Sequence, residues 1–342
     1  MDGNQFTGLK RIVRLTTATA LAVSLAACGG QGNGSGNASG ASAKSVGVQM
    51  CAESNAWCAA WIKAFEAEMS AAGVKTTVLT SNFNQAEDNQ HISQLVAKKP
   101  DVLVMGAADG NAAIPAIERA AAAGVKLVNV VGPLPEVVQK DLTANVRSDN
   151  PSLGKFAAQN LVAGLKQAGY AAGNVVVLQG TQSSPTVQET LDGFRKEMAN
   201  SPEYKIVSFQ DAQWDPQKTQ QLAAQLLAEY NAKGGIQGIY ANADYMAAGA
   251  IRAVKQAGKP LGASAKDGVI VVASNCSAEG PALLRSGELY GTGTSAPSTE
   301  AKAAAKVVLS ILNGQQFEKN SFVKEEKITR SNVDEFADVC TF

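Results

Sequence analysis

Three short runs, Val102-Leu103-Val104, Val175-Val176-Val177-Leu178 and Val269-Ile270-Val271-Val272, are apolar at every position rather than at alternate ones. A strand of that kind needs cover on both faces, the condition of a parallel sheet flanked by helices. The segments between such runs supply the helices. From Ala56 to Ala72 the bulky residues Trp57, Trp61, Phe65 and Met69 recur every four positions, which places them near one helical face. The helix is expected to stop at Gly73, where a residue without Cβ takes a left-handed cap. The punctuation Ala71-Ala72-Gly73-Val74-Lys75 returns as Ala122-Ala123-Gly124-Val125-Lys126, and Gln256-Ala257-Gly258-Lys259 is a third helix end of the kind. The period is irregular, so these repeat a strand–helix unit rather than a solenoid. The alternation implies an α/β fold of doubly wound parallel sheets. A second series begins at Ser148-Asp149-Asn150-Pro151, where Asn150 is expected to cap a helix opened by Pro151. Fresh strands then start at Asn174, Lys205, Ile236 and Gly268. Two successive lobes are expected.

The amino end reads differently. Lys10, Arg11 and Arg14 precede or open an apolar run that closes on Leu25-Ala26-Ala27-Cys28. Basic residues, a short hydrophobic stretch and small residues before a cysteine form the pattern of a signal peptide, here 1–27. The run is too short and too rich in Thr and Ser for a membrane span. Its ending resembles the lipobox of bacterial lipoproteins, which makes Cys28 the lipidated first residue of the exported protein. Residues 28–44 are almost entirely Gly, Ser, Asn, Ala and Gln, a flexible tether with a mean reach of about 20 Å. Lys plus Arg number 30 and Asp plus Glu 30, with no basic cluster beyond the leader, which argues against a nucleic-acid partner. Lipidation of Cys28 leaves Cys51, Cys58, Cys276 and Cys340 for disulfides in an oxidising compartment. Three connectivities are open, of which Cys51–Cys58 with Cys276–Cys340 is preferred. No C-x-x-C pair occurs and the single histidine, His91, is remote from the cysteines, so no metal site and no cofactor are expected.

From Ser45 to about Val323 the chain resembles the bacterial periplasmic sugar-binding proteins of the ribose-binding, type I class. The resemblance is carried by Ser148-Asp149-Asn150 with Gly154-Lys155, by Leu178-Gln179-Gly180, by Asp192-Gly193-Phe194, by the run Ala241 to Ala250, and by Gln256 to Lys259. It implies two lobes joined by three crossings, near Val146, Ser295 and Asn320, that close on a ligand by hinge motion. One lobe would be 45–146 with 296–320, the other 147–295 with 321–342. Carried over residue by residue, Asn55 would hydrogen-bond a hydroxyl, Trp57 would stack on a ring, and Trp214 would face it from the other lobe. Trp61 is expected in the core, and Trp214 to serve the ligand rather than the core. The family's charged clamp is missing. Val131-Gly132 stands where an Asp-Arg pair is usual, and Thr190 where an arginine is. Ala243 replaces an asparagine beside Asn242, Asn275 an aspartate, and Ser295 a glutamine. Bidentate arginine bonds are the strong ones for polyhydroxylated ligands. Their loss implies a solute larger or less hydroxyl-dense than ribose, bound with help from Gln188, Glu53, Asn242 and Asn275.

What the resemblance implies is an exported, lipid-anchored, monomeric binding protein that delivers a sugar-like small molecule to an ABC permease. A receptor for signalling or chemotaxis, or a binder of a nucleoside or another non-sugar solute, is the alternative. Neither Gly154-Lys155 nor Gly258-Lys259 continues into Ser or Thr, and no G-x-S-x-G elbow occurs, so catalysis is not expected. His91, in Glu87-Asp88-Asn89-Gln90-His91, is expected on an exposed helix face. A transcriptional regulator would need a DNA-binding headpiece where the leader and tether stand.

Overall fold

The structure, a computed structural model, describes residues 44–342. The leader, Cys28 and all of the expected tether except Lys44 lie outside the described residues. The first series runs β1 (Ser45–Cys51), α1 (Ala56–Ala71), β2 (Lys75–Ser81), α2 (Gln85–Ala97), β3 (Val102–Met105), α3 (Ile114–Ala122), β4 (Lys126–Val130) and β5 (Ala144–Ser148). The second runs α4 (Asn150–Gln167), β6 (Gly173–Gln179), α5 (Pro185–Met198), β7 (Tyr204–Asp211), α6 (Pro216–Glu229), β8 (Gly238–Ala241), α7 (Asp244–Gln256), β9 (Ile270–Val272), α8 (Gly280–Ser286) and β10 (Gly291–Gly293). The chain then returns through α9 (Pro297–Leu312) and β11 (Asn320–Val323), and ends in the second lobe with β12 (Lys327–Thr329).

Two six-stranded sheets result, ordered β11-β5-β4-β3-β1-β2 and β12-β10-β9-β8-β6-β7. Every pairing between these strands is parallel except β10 with β12. The fully apolar runs are explained by alternation across a covered sheet. Val102 and Val104 join the core under α1 and α9, while Leu103 and Met105 join the core under α2 and α3. Val175 and Val177 face α4 and α5, and Val176 and Leu178 face α6 and α7. Each buried side chain of this size contributes about 1.5–3 kcal/mol of transfer free energy. Trp61, Phe65 and Met69 are fully buried on one face of α1, with Trp61 stacked on Phe65 at 5.1 Å.

Three expectations need correction. Asp149, not Asn150, caps α4: its Oδ1 accepts from Ser152 N at 3.3 Å. Asn150 is the first helical residue, and its amide donates across the lobes to Val131 O and within its own lobe to Glu189. The third crossing lies beyond Asn320, because 320–323 pair with β5 and keep 321–323 in the first sheet. The polar run around His91 is only partly a solvated face: Glu87 and Gln90 are exposed, but the rest is not. Asp88 turns inward, 1 % exposed, onto Ser81 Oγ at 2.5 Å, and His91 Nδ1 is buried without a partner. Burial pushes the Asp88 carboxyl up to about 6.

Candidate functional site

In both sheets the strand order reverses beside the first strand of its lobe, between β1 and β3 and between β6 and β8. Ligands of open α/β sheets sit outside the carboxyl ends of the strands at that reversal. A cavity between the lobes occupies this position, lined by the turns after β1, β2, β4, β7, β8 and β9 and by the first turns of α4 and α5. Asn55, Trp57, Thr190, Trp214, Asn242, Asn275 and Ser295 all line it. Gln188 does not. Thr186 and Thr190 face the cavity one helical turn apart, which sends Gln188 to the exposed far side of α5, where its amide donates to Gln182 O at 2.6 Å. Glu53 is exposed at the tip of its loop and also lies outside the lining.

The first-lobe wall is the β1–α1 loop. Cys51 ends β1, Cys58 is the third residue of α1, and a disulfide joins them. Within that loop Asn55 caps α1, its Oδ1 accepting from Trp57 N at 3.0 Å and Cys58 N at 3.2 Å. The same side chain donates through Nδ2 to Tyr245 Oη on the opposite lobe at 3.1 Å. Trp57 Nε1 donates to Ser295 O on the second crossing at 2.9 Å.

The second-lobe wall is braced internally. Asn242, 4 % exposed, accepts from Gly180 N at 2.9 Å and donates to Tyr240 Oη at 2.8 Å. Asn275 Oδ1 accepts from Asp244 N at 2.9 Å, and Thr292 Oγ1 donates to Asp244 at 2.6 Å. Burial holds the Asp244 carboxyl well above the ordinary range and likewise raises the Tyr245 phenol. A second disulfide, Cys276–Cys340, starts one residue after Asn275 and is buried at both ends. Trp214 serves both cavity and core, against the expectation that it would serve the ligand alone. It packs against both second-lobe cores, and its indole lies on Gly180, where a Cβ would come within 2.2 Å of it. Phe83, from the turn after β2, faces it at 6.5 Å between centroids and 27° between planes.

Close backbone contact explains two motifs. A Cβ at Gly154 would fall 1.8 Å from Thr190 O, and one at Gly193 2.1 Å from Pro151 O, so α4 and α5 touch through their glycines. Phe83, Tyr245, Val131 and Leu153 line the cavity without having been singled out as ligand contacts. For Phe83 the available signal was a lone aromatic in Ser81-Asn82-Phe83-Asn84; for Tyr245 it was its place directly after Asp244. Phe83, Tyr245 and Leu153 crowd the wall beside the small replacement Val131, and the free volume is about 80 Å³. Among the described residues, no charged side chain lines the cavity, and no group of three or more His, Cys, Asp or Glu is placed to hold a metal.

The fold is shared with known binding proteins. A galactofuranose binding protein superimposes with a TM-score of 0.78 at 21% identity, covering 86% of this chain and 97% of that one. A Mycobacterium smegmatis ABC transporter solute binding protein with bound glycerol gives 0.77 at 21% identity, over 86% of this chain and 97% of that one. In sequence, the ribose import binding protein RbsB of Salmonella typhimurium is 25% identical over 71% of this chain and 76% of its own length. The D-ribose/D-allose-binding protein of Pseudomonas aeruginosa is 27% identical over 68% and 70%. The xylitol-binding protein of Mycolicibacterium smegmatis is 22% identical over 75% and 68%. The periplasmic binding protein domain matches residues 46–316, and the chain belongs to that family.

Proposed function

We propose that this chain is the solute-binding component of an ABC importer, exported, anchored through a lipid on Cys28, and binding a neutral sugar-like molecule without catalysis. The observation that carries this reading is the interlobe cavity: amides, hydroxyls and aromatic faces converge on it, and no charged side chain does. Sugars offer this combination of apolar ring faces and hydroxyl edges, and aromatic side chains stack on the former. RbsB and its relatives are ribose-binding, and other relatives bind allose or xylitol. The solute proposed here is less hydroxyl-dense than a free pentose, because Val131, Leu153 and Phe83 stand in the cavity wall. Trp57 and Trp214 would take its faces; Asn55, Asn242, Asn275, Thr190 and Ser295 would address its polar edge. The lobes would part and close about the crossings at 148–149, 295–296 and 324–326.

A thermal-shift screen against pentoses, hexoses, polyols, nucleosides and amino acids tests the reading. A ligand at 1,000 times its Kd adds about 4 kcal/mol, a shift of several degrees. A shift confined to sugars or polyols supports the proposal. Response to nucleosides or amino acids alone, or nanomolar affinity for unmodified ribose, would overturn its account of the site. Fatty-acid labelling of the cell-borne protein should be lost in Cys28→Ser.

A further inference from the structure

The two disulfides are placed very differently. Cys276 and Cys340 are 0 % and 4 % exposed and belong to the second-lobe core. Cys51 and Cys58 instead line the interlobe cavity, and Cys51 is partly exposed there. Their bond closes a loop whose ends are seven positions apart. Two of the first-lobe hydrogen bonds that reach across the cleft start inside that loop, from Asn55 to Tyr245 and from Trp57 to Ser295; Arg147 makes another, to Glu189, from β5. Asn55 joins the loop to α1 through its cap bonds, but on the strand side a turn bond, Asn55 N to Ala52 O at 3.0 Å, precedes it, and Glu53 and Ser54 are exposed.

We propose that the Cys51–Cys58 disulfide is a positioning element of the solute site, a clasp that a small thiol reductant opens from the cleft and that a bound solute shields. The inference rests on the cleft being the solute site. The chemistry is ordinary exchange. A reductant thiolate attacks Sγ of Cys51, the less buried of the two cysteines, forming a mixed disulfide and expelling Cys58 as a thiolate that takes a proton from water. A second reductant thiolate then attacks the reductant sulfur of the mixed disulfide and releases Cys51, which is protonated in turn. Two reductant thiols are oxidised to one disulfide, and the protein disulfide is reduced to two thiols. Cys58 suits the leaving role because it sits in the first turn of α1, where the positive end of the helix dipole favours a thiolate, and a better-stabilised thiolate departs faster. Opening the clasp frees the loop that holds Asn55 and Trp57. By reciprocity, a solute that requires that loop protects the bond.

The test treats the oxidised, folded protein with graded dithiothreitol, traps free thiols by alkylation, and maps them by mass spectrometry alongside amide hydrogen exchange. Cys51 and Cys58 are expected to label at least tenfold faster than Cys276 and Cys340. Exchange should rise at residues 55–60 and stay unchanged in the second lobe. The double variant C51S/C58S should show the same local rise with an unaltered circular dichroism spectrum. Equal labelling of the two bridges, or reduction that leaves residues 55–60 as protected as before, would overturn the proposal. D-ribose, D-allose and xylitol are then added to the oxidised and reduced forms. Any of them that raises the melting temperature of the oxidised protein should raise it less after reduction and should slow labelling of Cys51; equal shifts in both forms would also overturn the clasp. If none of the three acts on the oxidised protein, the sugar reading loses support, while labelling and exchange still decide the clasp.

Discussion

The two walls of the cleft use the same residue type in opposite ways. On the first-lobe wall, Asn55 caps a helix with its oxygen and sends its nitrogen across the cavity to Tyr245. On the second-lobe wall, Asn242 and Asn275 point their oxygens at their own backbone, at Gly180 N and Asp244 N. The second wall is therefore a braced template whose shape is set before any solute arrives. The first wall is a short stapled loop whose polar reach is directed outward. The sequence offers Asn55 as a family match and Asn242 and Asn275 as substitutes for lost polar groups; their hydrogen bonds differ in direction.

The largest expected effect breaks the brace. Replacing Cys276 and Cys340 by Ser opens a bridge spanning 64 positions, which in the chain-entropy account costs about 4 kcal/mol, against about 2.5 kcal/mol for the short loop of Cys51 and Cys58. Urea unfolding of the two double variants reads the difference directly; equal losses would refute the contrast. A first-lobe counterpart is the pH dependence of Asp88, whose carboxyl burial pushes up to about 6 from 3.8. The folded protein then binds more protons than the unfolded chain between these values, so stability falls as pH rises from about 4 to about 6. The loss is up to about 3 kcal/mol, and Asp88→Asn should flatten it. On the second wall, Trp214→Ala should cost about 2 kcal/mol, since the ring is half-buried against two cores, and should weaken solute binding at least tenfold. Asn55→Ala should lower stability by only about 1 kcal/mol, the usual worth of a helix cap, while weakening binding. If it destabilised the fold more than Asn242→Ala, the distinction between the walls would fail.

Most of the architecture was legible because its signals are local. Val102 to Val104 and Val175 to Leu178 declare two covered faces within four residues, and a parallel sheet is the economical way to cover them. The third crossing was misplaced because β11 carries no such signal: its residues are half-buried or exposed, with Phe322 at 55 %. Within the site, the turns after β1, β7, β8 and β9 could be named from residue type and order, but side-chain direction could not. Gln188 sits two positions from Thr186 and Thr190, and two positions on a helix is about 200° of rotation. Asn150 illustrates the other failure. Asp149 and Asn150 are both good caps by composition, and the choice depends on Val131 and Glu189, distant in sequence, which take the Asn150 amide.

Glu300, in the first turn of α9, is fully buried and collects donors from three directions: Trp61 Nε1, Val131 N, and the amide and hydroxyl of Ser148. Burial pushes its carboxyl up to about 7, opposed by the bonds from Ser148 and Val131. Ser148 ends the strand that leads into the first crossing, and α9 begins directly after the second. One carboxyl group thus fixes the first-lobe ends of two crossings to the same point. In the proposed closure, torsion would fall on their second-lobe ends, beside Asp149 and at Ser295, whose φ of 31° is already left-handed. Were the lobes to move as proposed, one acidic side chain would stand as the common pivot of two of the three crossings, and the swing would be left to the few rotatable bonds beyond it.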